Sequence, residues 1–261
     1  MNPNTGAPHR RALPALPMTL PMTLAALMAC AQPCDAAPKV EDTMAQRLQA
    51  CTPCHGREGV ATADGYFPRI AGKPEGYLFE QLMNFKEGRR GQAAMRHLVQ
   101  PLSPAYLKEI AAHFAALNLP YPSPERSTLE PAVLQRGRQL VHEGDAGLKV
   151  PACVHCHGQA LTGVLPATPG LLGLSKDYLS AQLGAWRNGL RRAREPDCMK
   201  HISQRLQEAD IHAVSAFLST QALPTNTRAV VQQPMATATA PTPVPSPNGS
   251  IDLACAPARS L

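Results

Sequence analysis

The pattern Cys-x-x-Cys-His occurs twice in this chain, as Cys51-Thr52-Pro53-Cys54-His55 and as Cys153-Val154-His155-Cys156-His157. Nothing else in the sequence restricts the fold as tightly. Two thiols and an imidazole at this spacing meet one object from a single turn of helix. Haem is such an object: the thiols form thioethers with its vinyl groups, and the adjacent imidazole becomes the proximal iron ligand. A redox-active Cys-x-x-Cys pair does not need the histidine, and a zinc site needs further ligand pairs at matching spacing. The two motifs imply two covalently bound haem c groups. Cys51, Cys54, Cys153 and Cys156 attach them, and His55 and His157 take one axial position on each iron.

The flanking sequence repeats with the motifs, as a tandem architecture requires. "PRIAGKPEGYLFEQLMNFKEGRR" at 68–90 aligns without gaps with "PGLLGLSKDYLSAQLGAWRNGLR" at 169–191. Pro68 meets Pro169, Gly72 meets Gly173, Tyr77 meets Tyr178, Gln81 meets Gln182, and Phe85 meets Trp186. A later block pairs Met95 with Met199 and His97 with His201, with three additional residues before the second methionine.

Apolar spacing makes each half helical. A first helix is expected from about Asp42, carrying Met44, Leu48 and Cys51 on one face and ending at the motif. A middle helix carries Tyr77, Leu78, Leu82 and Phe85 in one copy, and Tyr178, Leu179, Leu183 and Trp186 in the other. Ser175 is its expected N-cap in the second copy; Gly88 and Gly189 are the expected stops. Ser103-Pro104 opens a last helix that buries Leu107, Ile110, Phe114 and Leu117, and its counterpart buries Ile211, Val214 and Leu218. No alternating strand pattern appears. Each half is thus an all-α unit of fewer than a hundred residues, a size at which a cofactor helps complete the core.

The second axial ligand must come from beyond the middle helix, on a loop that can fold back over the opposite haem face. Met95 and Met199 occupy matched positions there, and so do His97 and His201, so periodicity alone leaves both pairs open. The methionines are favoured because each opens the segment leading into the last helix, after a Gly- or Arg-rich run expected to form a loop. The histidines are then free to meet solvent or a haem propionate. Cys198 has Ala94 as its counterpart, which argues against a ligand role shared by both halves. A packed free thiol is expected for it, with a disulfide as the alternative.

With these residues assembled, the chain resembles the dihaem cytochrome c4 family, two class I cytochrome c domains in tandem, over roughly residues 40–220. The resemblance rests on "CTPCHG", "CVHCHG", the two middle helices, Met95 and Met199. It implies that the carbonyls of Pro68 and Pro169 orient the proximal histidines. It also implies that the propionate edges of the haems approach at the domain interface, and that the protein is a periplasmic carrier feeding a respiratory haem–copper oxidase. The Pro/Ala/Thr-rich tail, Cys198, Cys255 and the longer second methionine loop depart from the family pattern and leave the redox partner open.

The expected organisation is an export signal over 1–36, a first cytochrome c domain over 37–117, a Pro-rich linker over 118–131, a second domain over 132–221, and a disordered tail over 222–261. His9, Arg10 and Arg11 precede an apolar run ending Ala29-Cys30-Ala31, the order of a secretory signal. Pro14, Pro17 and Pro21 interrupt the run, against a stable spanning helix. Leu27-Met28-Ala29-Cys30 also reads as a lipoprotein processing box, which would lipidate Cys30 and anchor the periplasmic protein peripherally to a membrane. The formal charge of +6 comes with no recognisable nucleic-acid module, so no nucleic-acid partner is expected.

Six-coordinate irons leave no open position for a substrate, so the chain reads as an electron carrier without catalytic residues. Its partners would be a quinol-oxidising complex or a periplasmic dehydrogenase as donor, and a haem–copper oxidase as acceptor. Two alternatives remain at this stage. One is a dedicated cytochrome subunit of a periplasmic dehydrogenase. The other is a dihaem peroxidase or sulfur-compound oxidase, which the near-identical ligand pattern of the halves disfavours. Arg89, Arg90 and Arg96, with Arg187, Arg191, Arg192 and Arg194, follow the middle helices. They could steer an acidic partner or balance haem propionates.

Overall fold

Thr43 starts the first helix, α1 (Met44–Leu48), by accepting the Gln46 N–H at 3.3 Å on its hydroxyl. The computed structural model describes residues 41–62 and 64–231; the expected export signal, Cys30, Cys34, Cys255 and positions 232–261 lie outside them. The helix expected to run on into the motif is broken in two. A separate turn, α2 (Thr52–His55), begins at the motif. Pro53 is the reason: without an N–H, and with a ring that collides with the preceding turn, it is tolerated only at a helix start.

The rest of the first half comprises α3 (Glu75–Lys86), α4 (Ala93–Val99) and α5 (Pro104–Ala116). Gly88, at φ +74°, ends the polypeptide's course along α3 as expected. Ser103 caps α5 through the Tyr106 N–H, with Pro104 at the first helical position. Leu107, Ile110 and Phe114 are buried in α5 against α3, while Leu117 lies past the helix end, half-buried.

The second half runs α6 (Pro131–His142), α7 (Val154–His157), a short ladder of β1 (Gly163–Val164) with β2 (Thr168–Pro169), then α8 (Lys176–Arg187), α9 (Cys198–Arg205) and α10 (Glu208–Ser219). The ladder, antiparallel with Gly163 opposite Pro169, is too short for any strand pattern to announce it. Leu140, Val141, Leu179, Ile211, Val214, Phe217 and Leu218 form the core where α10 crosses α6 and α8. Gly137 allows that crossing: a Cβ there would lie 2.2 Å from the carbonyl oxygen of Ala213. Ser175 caps α8 through the Tyr178 N–H at 3.1 Å.

From Asp42 onward the halves form one compact unit. The linker is held against both of them. Arg69 donates to the carbonyls of Leu119 and Pro120, and its guanidinium lies 3.8 Å from the Tyr121 ring centroid. Glu125 accepts from the Lys176 N–H at the start of α8. Beyond 221 the chain returns to the second half: Val230 bridges Val164, and Leu165 N–H donates to its carbonyl at 2.8 Å. No helix among the described residues is long and apolar enough to cross a membrane.

Candidate haem sites

Each motif is a single helical turn, and its histidine is fixed from behind. His55 Nδ1 donates to the Pro68 carbonyl at 2.9 Å, and His157 Nδ1 to the Pro169 carbonyl at 2.7 Å. A carbonyl can only accept, so Nδ1 carries the proton and Nε2 keeps its lone pair, the tautomer a metal-ligating imidazole needs. Both rings are buried. Burial is the main cause holding each below the usual imidazole range; the Pro carbonyls oppose it, and the charges of Arg90 at His55 and Lys73 at His157 add to it. The neutral ligand form is thus favoured twice over.

Cys51, Cys54, Cys153 and Cys156 are free, half-buried thiols. Burial raises Cys51 and Cys156 and pushes Cys153 up to about 12. At Cys51, Cys153 and Cys156 burial thus favours the neutral thiol, unlike the low-pKa thiolates of redox Cys-x-x-Cys centres. Among the described residues no three His, Cys, Asp or Glu side chains cluster to hold a metal ion. The donor set on each turn, two thiols and one oriented imidazole, fits haem c.

The methionine segments are helical, where loops were expected. Gln92 caps α4 by accepting the Ala94 N–H at 2.9 Å. Asp197, buried, caps α9 through the Lys200 N–H at 3.1 Å and also ties back the Ala193 N–H at 2.6 Å. A side-chain acceptor followed by good helix formers suffices to start a turn after an irregular run. Met95 and Met199 occupy the first turns of these helices, half-buried, whereas His97 and His201 are exposed. Met95 packs with Met83, Phe85, Val99 and Leu107. Cys198 is disulfide-bonded, which overturns the free thiol expected for it; the four motif cysteines are free, so none of them is its partner.

Arg90 and Arg191, read in the sequence as steering an acidic partner or balancing haem propionates, are buried, 9% and 4% exposed, at the seam between the halves. Their backbones form an antiparallel bridge, extended by Gly91 N–H to the Leu190 carbonyl and Arg192 N–H to the Arg89 carbonyl. Gln81 and Gln182 lie between their side chains. The seam also holds Lys73, 4% exposed, whose Nζ donates to the Gly170 carbonyl across it at 3.2 Å. The equivalence of Gln81 with Gln182 and of Arg90 with Arg191 was visible in the repeat, but not their meeting. Lys73 has no cationic counterpart and gave no signal.

A helical pair of motif-bearing halves, each with a carbonyl-oriented histidine, defines a tandem class I cytochrome c. Residues 134–222 match the cytochrome c family model. The thiosulfate dehydrogenase electron acceptor of Thiomonas intermedia is 34% identical over 67% of this chain and 79% of its own length. Cytochrome c4 of Pseudomonas aeruginosa is 32% identical over 66% of this chain and 84% of its own. The crystal structure of reduced recombinant cytochrome c4 from Pseudomonas stutzeri superposes with a TM-score of 0.59 at 29% identity, covering 70% of this chain and all of that one. The chain belongs to the cytochrome c4 family of electron-transfer proteins, whose cytochrome c domains carry covalently bound haem c.

Proposed function

We propose that this protein is an exported, periplasmic carrier of single electrons with two haem c groups, and that its donor is a thiosulfate-oxidising dehydrogenase. Cys51 and Cys54 with His55 and Met95 hold one haem; Cys153 and Cys156 with His157 and Met199 hold the other. The haems supply the one-electron redox centres. The chain's own contribution is to fix ligand tautomer and orientation through Pro68 and Pro169, and to exclude water with the two helical cores. Thioether ligation by methionine raises the reduction potential relative to a harder ligand. A haem–copper oxidase is the proposed acceptor. The observation that carries this reading is the matched His–Pro carbonyl hydrogen bond behind both motifs. The donor rests on the likeness to thiosulfate dehydrogenase electron acceptors.

The test is a pyridine haemochrome assay and visible spectra of the purified protein, followed by rapid mixing of the oxidised form with a thiosulfate dehydrogenase and thiosulfate. Two haems per chain, a methionine–iron charge-transfer band and enzyme-dependent reduction are expected. One haem per chain, or no such band, rejects the ligand assignment. Reduction no faster with the enzyme than without it rejects the donor.

A further inference from the structure

Lys73 is a buried cation with little to answer its charge. Its Nζ donates to one neutral acceptor, the Gly170 carbonyl at 3.2 Å. None of the ion pairs found among the described residues includes it. The groups around it supply no anion. Arg69, on the same loop, adds a like charge, and its guanidinium is committed to the carbonyls of Leu119 and Pro120. The Tyr121 ring faces both cations, 3.8 Å from the Arg69 guanidinium and 5.9 Å from Lys73 Nζ; burial raises its phenol above the usual range, which keeps it neutral. Glu75, opening α3, is exposed, and Glu125 of the linker accepts from the Lys176 N–H. The β1–β2 ladder and its turn carry no ionisable side chain, and α7 brings only His155, exposed, and His157. A buried charge so placed is costly.

The place of Lys73 gives that cost a meaning. It belongs to the first half, yet it bonds the residue after Pro169, whose carbonyl holds His157. After burial, and against that carbonyl, the Lys73 charge lowers the basicity of His157. The repeat offers no equivalent, because Leu174 stands at the matched position. At His55 the nearby charge is the Arg90 guanidinium, which never gives up its proton at ordinary pH. Burial first, and then Arg69, hold Lys73 at about 8. One motif histidine is thus backed by a permanent charge and the other by a removable one.

We propose that Lys73 links electron uptake at the second haem to uptake of a proton, while the first haem takes its electron alone. The inference deepens the two-haem reading above and rests on it. One electron enters the second centre and one proton from water converts the Lys73 amine to ammonium; oxidation releases both. The coupling is reciprocal, so the factor by which the charge favours the electron is the factor by which the electron favours the proton. Lys73 bonds Gly170 and not a motif residue, so it acts through its charge, as a positioning residue rather than a ligand. At neutral pH the charge draws the shared electron toward the second haem, and at alkaline pH its loss returns the electron toward the first.

The test is potentiometric titration of the haem-loaded parent, Lys73→Met and Lys73→Arg at a series of pH values on either side of 8, with haems per chain counted. The wave that Met199→Ala displaces is assigned to the second haem. In the parent the second midpoint should fall with rising pH, by on the order of tenfold in the oxidised-to-reduced ratio at fixed potential, ~59 mV for a one-electron couple. The first should stay level. Lys73→Met should hold the second wave low at every pH, and Lys73→Arg should hold it high, a separation that a purely structural defect would not produce. A level second wave in the parent, or the same slope in both waves, overturns the link even where a variant fails to fold. A slope that survives in Lys73→Met overturns it too. One haem per chain in the parent instead rejects the two-haem reading.

Discussion

Replacing Gly137 by alanine sets helix propensity against packing, with opposite signs. In a helix interior the change gains about 1 kcal/mol. At this crossing, however, the new methyl carbon would lie 2.2 Å from Ala213 O, 2.7 Å from Ala213 C and 2.7 Å from Phe217 Cβ. Two of these are backbone atoms of α10 and cannot rotate away. Ordinary contact requires the two helices to part by roughly 1 Å, and a gap of that size forfeits a quarter to a half of each dispersion well along the seam. Leu140, Val141, Ile211, Val214, Phe217 and Leu218 all belong to that core. Overpacking of this kind costs ~1–3 kcal/mol, occasionally more. Adding the loosened core contacts and subtracting the propensity gain leaves a net loss of roughly 2–4 kcal/mol. For a domain of this size that is a fall of about 5–15 °C in Tm. Thermal unfolding of haem-loaded protein, followed by far-ultraviolet circular dichroism, would show it. A Gly137→Ala protein as stable as the parent, or more stable, would refute the close-crossing argument.

Met199→Ala should leave the covalent haem content intact and open one iron of the reduced protein to carbon monoxide; binding no greater than the parent's would remove Met199 as the ligand. Asp197→Ala should cost about 1–2 kcal/mol through loss of the α9 cap and weaken the methionine–iron band, both read on one sample by urea titration and visible spectroscopy. An unchanged band would mean that the Met199 segment does not depend on its cap. Lys73 is held at about 8 rather than 10.5 by burial and then by the charge of Arg69. Its depressed value means the unfolded chain binds the extra proton, so the amine destabilises the fold below pH 8 and this cost fades as pH rises from about 8 toward 10.5. Lys73→Met should therefore be more stable at pH 7 by up to roughly 3 kcal/mol, with the advantage shrinking by pH 10; a pH-independent difference would refute the buried charge.

The features legible in the sequence were those whose physics is local. Ser103-Pro104, Ser175, Gly88 and Gly189 end or begin helices through bonds within a few residues, and the structure places them accordingly. Pro53 is local too, yet its effect was missed because the apolar spacing of Met44, Leu48 and Cys51 suggested one continuous helix. The methionine segments were read as loops because their preceding runs are irregular. The caps that make them helical, Gln92 and Asp197, are single residues with little periodic support.

By itself, the sequence determined the cofactor chemistry, the duplication and the helical class, because a thiol–thiol–imidazole set within one turn and a repeat in register need no distant partner to be recognised. Only the tertiary structure decided which cations are surface charges and which are buried. Arg89, Arg90, Arg191 and Arg192 look alike along the chain, but the antiparallel meeting of the two copies seals Arg90 and Arg191 between Gln81 and Gln182 while Arg192 stays exposed. Burial depends on what the other half brings to the same place. Residues a hundred positions apart set that electrostatic cost, and no local pattern records it.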